Sequence, residues 1–279
     1  MIQINNLAFS YGSAEVLRNI SMNLEPGRIY GLLGENGVGK TTLLTLLCGL
    51  KKCGAGTIDI DGRDPYGRDP ELLAELCYLP DEVAPENDKA ASWAAGRGRF
   101  WPGFTMERFY EIMRVFENDP SKKMNAMSSG QLKKTYISFA LACNTRYIFL
   151  DEPTNGLDIP SKAQFRTAIL KYTPEDSTIV ISTHQVRDLE DIIDPIIILD
   201  RQDVLLNASV EEITSKLYFD YSTTLNPASL YSEQLPGGFI QVYPNTGKQD
   251  CKINVEALFN TVHKNKDLVK RLFSNEQNI

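Results

Sequence analysis

Histidine is almost missing: of 279 residues only His184 and His263 carry an imidazole. So few imidazoles exclude a histidine-rich metal centre. Cysteine is sparse and odd in number, and Cys48, Cys53, Cys77, Cys143 and Cys251 show neither CxxC pairs nor Cys/His zinc spacing. They read as reduced thiols. No uncharged apolar run reaches the ~18–20 residues that cross a bilayer as a helix, and Met1-Ile2-Gln3-Ile4-Asn5 has neither the basic nor the apolar block of a secretory signal. A cytoplasmic location is expected. Positive charge is also short, with 29 Lys and Arg against 36 Asp and Glu, a net charge of −7. No broad basic face awaits a nucleic-acid backbone or an anionic membrane, so no nucleic acid is expected as a partner and any phosphate binding must be local.

What is present suffices for a sizeable core, since 42% of residues are hydrophobic and 23% charged, which excludes disorder as the main state. Short β-type runs alternate with helical patterns, as in βαβ units around a mainly parallel sheet. Strands are expected at 2–9, 28–33, 57–60, 76–79, 147–150, 178–182 and 196–199, and helices at 40–48, 106–116, 130–142, 161–172 and 185–193. Ile179-Val180-Ile181 and Ile196-Ile197-Ile198-Leu199 lack a polar face, so they read as strands covered on both sides. Between Pro80 and Ser128 no strand is convincing, while Met106, Phe109, Ile112, Met113 and Phe116 share one helical face. A helical insertion is expected there, although the Trp- and Gly-rich stretch 90–103 gives mixed signals. Beyond Asp200 the pattern predicts a short strand at 204–206, a helix at 209–217, a Pro/Gly-rich β-like stretch to Asn245, and one final helix at 254–273 opened by the N-cap Asn254.

Chemistry concentrates at two places. Gly34-Glu35-Asn36-Gly37-Val38-Gly39-Lys40-Thr41 fits G-x-x-x-x-G-K-[ST], directly follows an apolar strand and opens a helix. Its glycines let backbone N–H groups curl round a β-phosphate, Lys40 can bridge β- and γ-phosphates, and Thr41, followed by Thr42, offers a hydroxyl to Mg²⁺. Far downstream, Tyr147-Ile148-Phe149-Leu150-Asp151-Glu152 puts two carboxylates at the C-terminal end of a buried strand, where ligands of parallel sheets sit. Asp151 can hold Mg²⁺, and Glu152 can orient or deprotonate an attacking water.

With these two halves in place, the sequence resembles the ATP-binding subunits of ABC transporters. Met127-Ser128-Ser129-Gly130-Gln131 looks like that family's signature sequence, Gly156-Leu157-Asp158 like its D-loop, His184 like its switch histidine, and Tyr11 in Phe9-Ser10-Tyr11-Gly12 like its adenine-stacking aromatic. The resemblance covers residues 2 to about 217. It implies an α/β, P-loop NTPase (RecA-like) parallel-sheet core with amino-terminal antiparallel strands. The ATPase domain is expected at 1–217, with its helical insertion at about 81–145 and a small C-terminal α/β extension at 218–279.

The same resemblance implies ATP and Mg²⁺ as cofactors, Glu152 and His184 as catalytic groups, and nucleotide contacts from Tyr11, Gly34, Asn36, Gly37, Gly39, Lys40, Thr41, Thr42, Ser128, Gly130, Gln131 and Asp158. Thr41, Asp151 and Asp81 are the expected metal contacts. The implied partners are transmembrane permease subunits and a second ATPase subunit, expected to be another copy of this chain, which places the protein on the cytoplasmic face of a membrane. Two positions depart from the family: Asp81 stands where Gln is usual, and Ser129 where Gly is usual. A carboxylate keeps an oxygen for metal but loses the amide donor. The stretch beyond Asp200 resembles the short extension of export-type bacterial subunits. A soluble ABC-type ATPase acting on ribosomes or DNA is the alternative; the single motif set, the absence of a heptad run and the acidic charge argue against it.

Overall fold

The computed structural model describes residues 1–201, 203–247 and 249–273. In chain order its elements are β1 (Ile2–Tyr11), β2 (Ala14–Leu24), β3 (Ile29–Leu33), α1 (Lys40–Leu47), β4 (Ala55–Ile60), α2 (Pro70–Ala74), β5 (Leu76–Leu79), α3 (Ala90–Gly98), α4 (Met106–Val115), α5 (Ser129–Ala142), β6 (Tyr147–Asp151), α6 (Ile159–Tyr172), β7 (Thr178–Thr183), β8 (Ile196–Asp200), β9 (Asp203–Ala208), α7 (Val210–Lys216), β10 (Leu217–Ser222), β11 (Tyr231–Leu235), β12 (Gly238–Pro244), α8 (Val255–Lys264) and α9 (Lys266–Phe273).

The wholly apolar strands dictate the architecture. The central sheet has the order β5-β6-β7-β3-β8-β9, parallel except for β9. Successive side chains of a strand point to opposite faces, so each apolar strand feeds two cores. Ile148, Leu150, Ile179, Ile181, Ile196 and Ile198 face the layer holding α4, α5 and α6. Tyr147, Phe149, Val180, Ile197 and Leu199 face α1 and a second, antiparallel sheet of order β2-β1-β4. Helix α1 lies between the two sheets with Leu43, Leu44, Leu46 and Leu47 buried, which fixes the glycine-rich loop that precedes it.

The structure differs from the sequence reading at several elements, among them the short helix α2, which was not expected and is capped by Asp69. Strand β2 was absent from the expected set because its alternation breaks between Leu17 and Ile20, where Asn19 takes a left-handed φ of 52° and the register with β1 shifts. Stretch 90–98 is a helix, its Trp93 packed on Tyr136 and Phe139 at ring separations of 4.8 Å. Segment 185–193 is not an α-helix but a single 3₁₀ turn at Val186–Asp188. The carbonyl of Asp188 accepts from Arg166 Nη1 of α6 at 2.9 Å, and its carboxylate pairs with Lys162 at 2.6 Å, so α6 takes the acceptor that an α-helix would need. The last helix breaks at Asn265 (φ −128°, ψ 42°), whose side-chain amide reaches the carbonyl of Leu230 at 3.0 Å. An Asn side chain that bonds distant backbone competes with helix continuation.

The third sheet, β10-β12-β11, is antiparallel and is covered by α8. Its Phe219 and Val242, with Leu258, Val262 and Val269 of the last two helices, join the same buried cluster as the central sheet. Ion pairs Arg187–Glu256, Lys266–Asp200 and Lys270–Asp203 ring the junction. Exposed pairs of this kind contribute ~0–1 kcal/mol each, so the shared apolar core is what holds this unit down.

Phe109 of α4 is fully buried in that cluster. Phe109→Ala is expected to lower unfolding stability by ~3–5 kcal/mol, transfer and cavity costs together, read as a fall in the urea midpoint with an unchanged m value.

Candidate nucleotide site

Strand β3 ends at Leu33, and the chain turns through Gly34–Gly39 before α1 starts at Lys40. Gly37 and Gly39 have φ of 76° and 111°, a region that side chains rarely enter. A Cβ on Gly39 would also lie 2.6 Å from Leu17 Cδ2. Glycine at the N-cap brings no side chain to the first amides of α1, so this helix end stays open to an anion. Lys40 is 7% exposed and donates from Nζ to the carbonyls of Gly34 at 2.8 Å and Glu35 at 3.2 Å. Burial lowers its pKa, while the charges of Glu152 and Asp151 act in the opposite sense.

Asp151 ends β6 at 1% exposure. Its Oδ2 accepts from Thr41 Oγ1 at 2.6 Å and its Oδ1 from the hydroxyl of Ser182 on β7. Tyr78 on β5 is pushed up in pKa by burial first and by the Asp151 charge next, so its phenol stays protonated. Glu152 follows in a left-handed conformation, φ 44°, held by bonds from its N–H to the carbonyl and the hydroxyl of Ser182, both 3.1 Å. That turn brings its carboxylate to His184, with Oε1 2.9 Å from Nδ1 and Oε2 3.3 Å from the His184 backbone nitrogen.

Lys40, Thr41, Asp151, Glu152 and His184 line one cleft of about 490 Å³. The cleft collects Tyr11, Asn36, Gly37, Gly39, Lys40, Thr41, Thr42, Asp81, Asp151, Glu152 and His184 from the expected set. Gly34 lies behind them, lining a smaller cavity of about 240 Å³ with Asn36, His184, Val186 and Phe259 of α8. Tyr11 stands at the rim, 48% exposed, with its hydroxyl 3.4 Å from Thr42 Oγ1 and Lys51 Nζ 4.8 Å from its ring centre.

The signature residues are not in this cleft. Ser128 and Gln131 form a capping box on α5: Ser128 Oγ accepts from the Gln131 N–H and Gln131 Oε1 from the Ser128 N–H, both at 3.2 Å. Ser129 is exposed. Gly130 faces the turn at Gly156, and Asp158 caps α6 by accepting from the Ser161 N–H at 3.0 Å.

Beside Val16, which lines the cleft, three polar residues of the site had not been foreseen. Ser182 holds Asp151 and Glu152; Asn155 lines the cleft and donates from Nδ2 to Asp81 Oδ1 at 3.3 Å; Lys133 on α5, 4% exposed, donates to the backbone carbonyl of Asp81 at 2.6 Å. A lysine on an otherwise apolar helical face is the one signal the sequence offered.

The ABC transporter family pattern matches residues 17–155. The uncharacterized ABC transporter ATP-binding protein YdbJ of Bacillus subtilis is 30% identical over 220 residues, 76% of this chain and 70% of that protein. The chain belongs to the ABC transporter ATP-binding proteins. Lantibiotic transport ATP-binding protein SrtF of Streptococcus pyogenes is 29% identical over 70% of this chain and 84% of its own. Petrobactin import ATP-binding protein YclP of Bacillus subtilis is 29% identical over 81% and 94%. A solved ATP-binding subunit of an ABC transporter shares the fold at a TM-score of 0.70, with 22% identity, 77% of this chain and 92% of that one covered. As a member of this family the chain is an ATP-binding ATPase subunit. No helix among its described residues is long and apolar enough to cross a membrane.

No group of three or more His, Cys, Asp or Glu among the described residues could hold a metal. A hydroxyl and a carboxylate 2.6 Å apart, Thr41 and Asp151, are instead the hard oxygen donors suited to Mg²⁺, which normally takes one or two carboxylates and completes its shell with phosphate oxygens and water.

An exposed ring at the mouth of a cleft has a face that a purine can stack on. Tyr11→Ala is expected to weaken ATP affinity by the ~1–3 kcal/mol of one stacking contact, with Tyr11→Trp retaining it. An unchanged dissociation constant by calorimetry would make Tyr11 a packing residue.

Proposed function

We propose that this subunit binds Mg·ATP in the 490 Å³ cleft, dimerises with a second copy around two nucleotides, and uses hydrolysis to drive transmembrane partner subunits. The observation that carries this reading is the joint placement of Lys40, Thr41, Asp151, Glu152 and His184 on one cleft while the signature residues stay outside it. A signature at an exposed helix start, away from its own chain's nucleotide, is supplied with a γ-phosphate by a partner's cleft. The α5 N-terminus then adds its positive end to that phosphate.

In this reading the α1 amides and Lys40 bind the β- and γ-phosphates, and the Tyr11 ring takes the adenine. Glu152 accepts the proton of the attacking water, and His184, bonded to it at 2.9 Å, holds its carboxylate in line. Thr41 and Asp151 would hold Mg²⁺, with Asp81 a further candidate at the cleft wall; bound metal supplies charge neutralisation on the phosphate oxygens.

An exposed apolar groove supports docking to a membrane partner. Leu50, Leu73, Tyr78 and Trp101 line it, with Phe100 at 66% exposure. Strand β5 runs from this groove straight into Asp81, so pressure there reaches the cleft. Docking would place the subunit at the cytoplasmic membrane face. We read the direction as outward because the stretch beyond Asp200 resembles the short extension of export-type bacterial subunits; the relatives named for lantibiotic transport and for petrobactin import are equally identical to this chain at 29%.

Lys40→Ala is expected to abolish ATP turnover, because the cleft loses the ammonium placed on its phosphate loop; turnover within twofold of wild type in a phosphate-release assay would overturn the site. Glu152→Gln should keep ATP binding and stop hydrolysis, so that size-exclusion chromatography with Mg·ATP shows a trapped dimer. A monomer at high protein concentration would exclude the sandwich.

A further inference from the structure

Lys133 is a buried cation that the phosphate chemistry leaves unused. It projects from α5, the helix opened by the signature, toward the loop that leaves β5. Its Nζ donates to the backbone carbonyls of Asp81 at 2.6 Å and Pro80 at 3.4 Å and lies 3.6 Å from Asp81 Oδ1. The same Oδ1 accepts from Asn155 Nδ2, and the Asn155 N–H bonds the carbonyl of Glu152 at 3.1 Å. A continuous chain of contacts therefore runs α5, Lys133, Asp81, Asn155, Glu152.

Asp81 has a side chain 40% exposed at the cleft wall, whereas that of Lys133 is 5% exposed. The asymmetry assigns the roles. An aspartate left alone there can turn to water, but a buried ammonium cannot leave its anion without a cost of several kcal/mol per ion. The lysine is the fixed post, and the aspartate is what it fixes.

We infer that Lys133 is a positioning residue for ATP hydrolysis, holding Asp81 in the cleft and tying the signature helix to the Glu152 turn. The inference rests on the cleft being the hydrolytic site. Because Lys133 touches neither the phosphate loop nor Tyr11, it acts on turnover and not on ATP capture. Misplacing a group near the reacting atoms by about 1 Å can cost up to ~100-fold.

The experiment is steady-state ATPase kinetics on the full chain for wild type, Lys133→Met, Lys133→Arg, Asp81→Asn and the Lys133→Met/Asp81→Asn double variant, with Glu152→Gln as control. Methionine keeps the unbranched shape without the charge. Lys133→Met is expected to lower kcat by ~10–100-fold with KM for ATP within about twofold, the pattern of a lost positioning contact that leaves substrate binding intact. Lys133→Arg should recover part of that loss. Asp81→Asn should lower kcat similarly, and the double variant should be no worse than the poorer single, since Lys133 acts through the Asp81 carboxylate.

Additive losses, or a kcat within twofold of wild type for Lys133→Met, would overturn the inference. If Lys133→Met does not fold, Asp81→Asn decides alone: its side chain is partly exposed, and an unchanged kcat there overturns the inference equally. Loss of turnover in Glu152→Gln alongside normal Lys133→Met kinetics would remove only the positioning role and leave the hydrolytic site standing.

Discussion

One buried carboxylate carries the site. Asp151 ends β6 with Thr41 of α1 on one oxygen and Ser182 of β7 on the other, so three elements converge on a single charge. A carboxylate at 1% exposure needs donors that replace its lost water. Here two hydroxyls do so, and one of them belongs to the phosphate loop. The distance between the 34–39 loop, which α1 continues, and the strand end that carries Glu152 is thereby set by a hydrogen bond and not by packing alone.

Ser182 has a second task that depends on the first. Its carbonyl and hydroxyl both receive the N–H of Glu152, which sits at φ 44°. A non-glycine residue in that region costs of order 1–3 kcal/mol unless its surroundings over-determine it. The strain turns the glutamate away from the strand direction and toward His184, so the cleft wall is shaped by a backbone that would not hold the conformation by itself.

The parts legible in the sequence were those with local causes. A strand without a polar side must be covered twice, and a glycine loop between strand and helix must present amides; β3, β6, β7, β8 and the 34–41 loop were therefore visible, along with the strand-end carboxylates Asp151 and Glu152, whereas His184 was singled out only by the family resemblance. What escaped depends on contacts distant in sequence. Asn19 breaks the alternation of β2, Arg166 withdraws the carbonyl of Asp188 from a helix at 185–193, and Asn265 spends its amide on Leu230. Lys133 carried only the signal of a lysine on a largely apolar helical face, because the Asp81 it holds lies 52 residues away. Family resemblance supplied the signature, D-loop and stacking residues, which no periodicity marks.

The short turn after β7 has little structure of its own, yet it follows His184 directly. Val186 packs into the core, Arg187 pairs with Glu256 of α8, and Phe259 of α8 shares a cavity wall with His184 and the back of the phosphate loop. Order in that segment is borrowed from two neighbours, α6 through Asp188 and α8 through Arg187. Its local opening free energy depends on both of them staying docked. The histidine at the cleft wall thus inherits part of its thermal tolerance from helices that do not line the cleft.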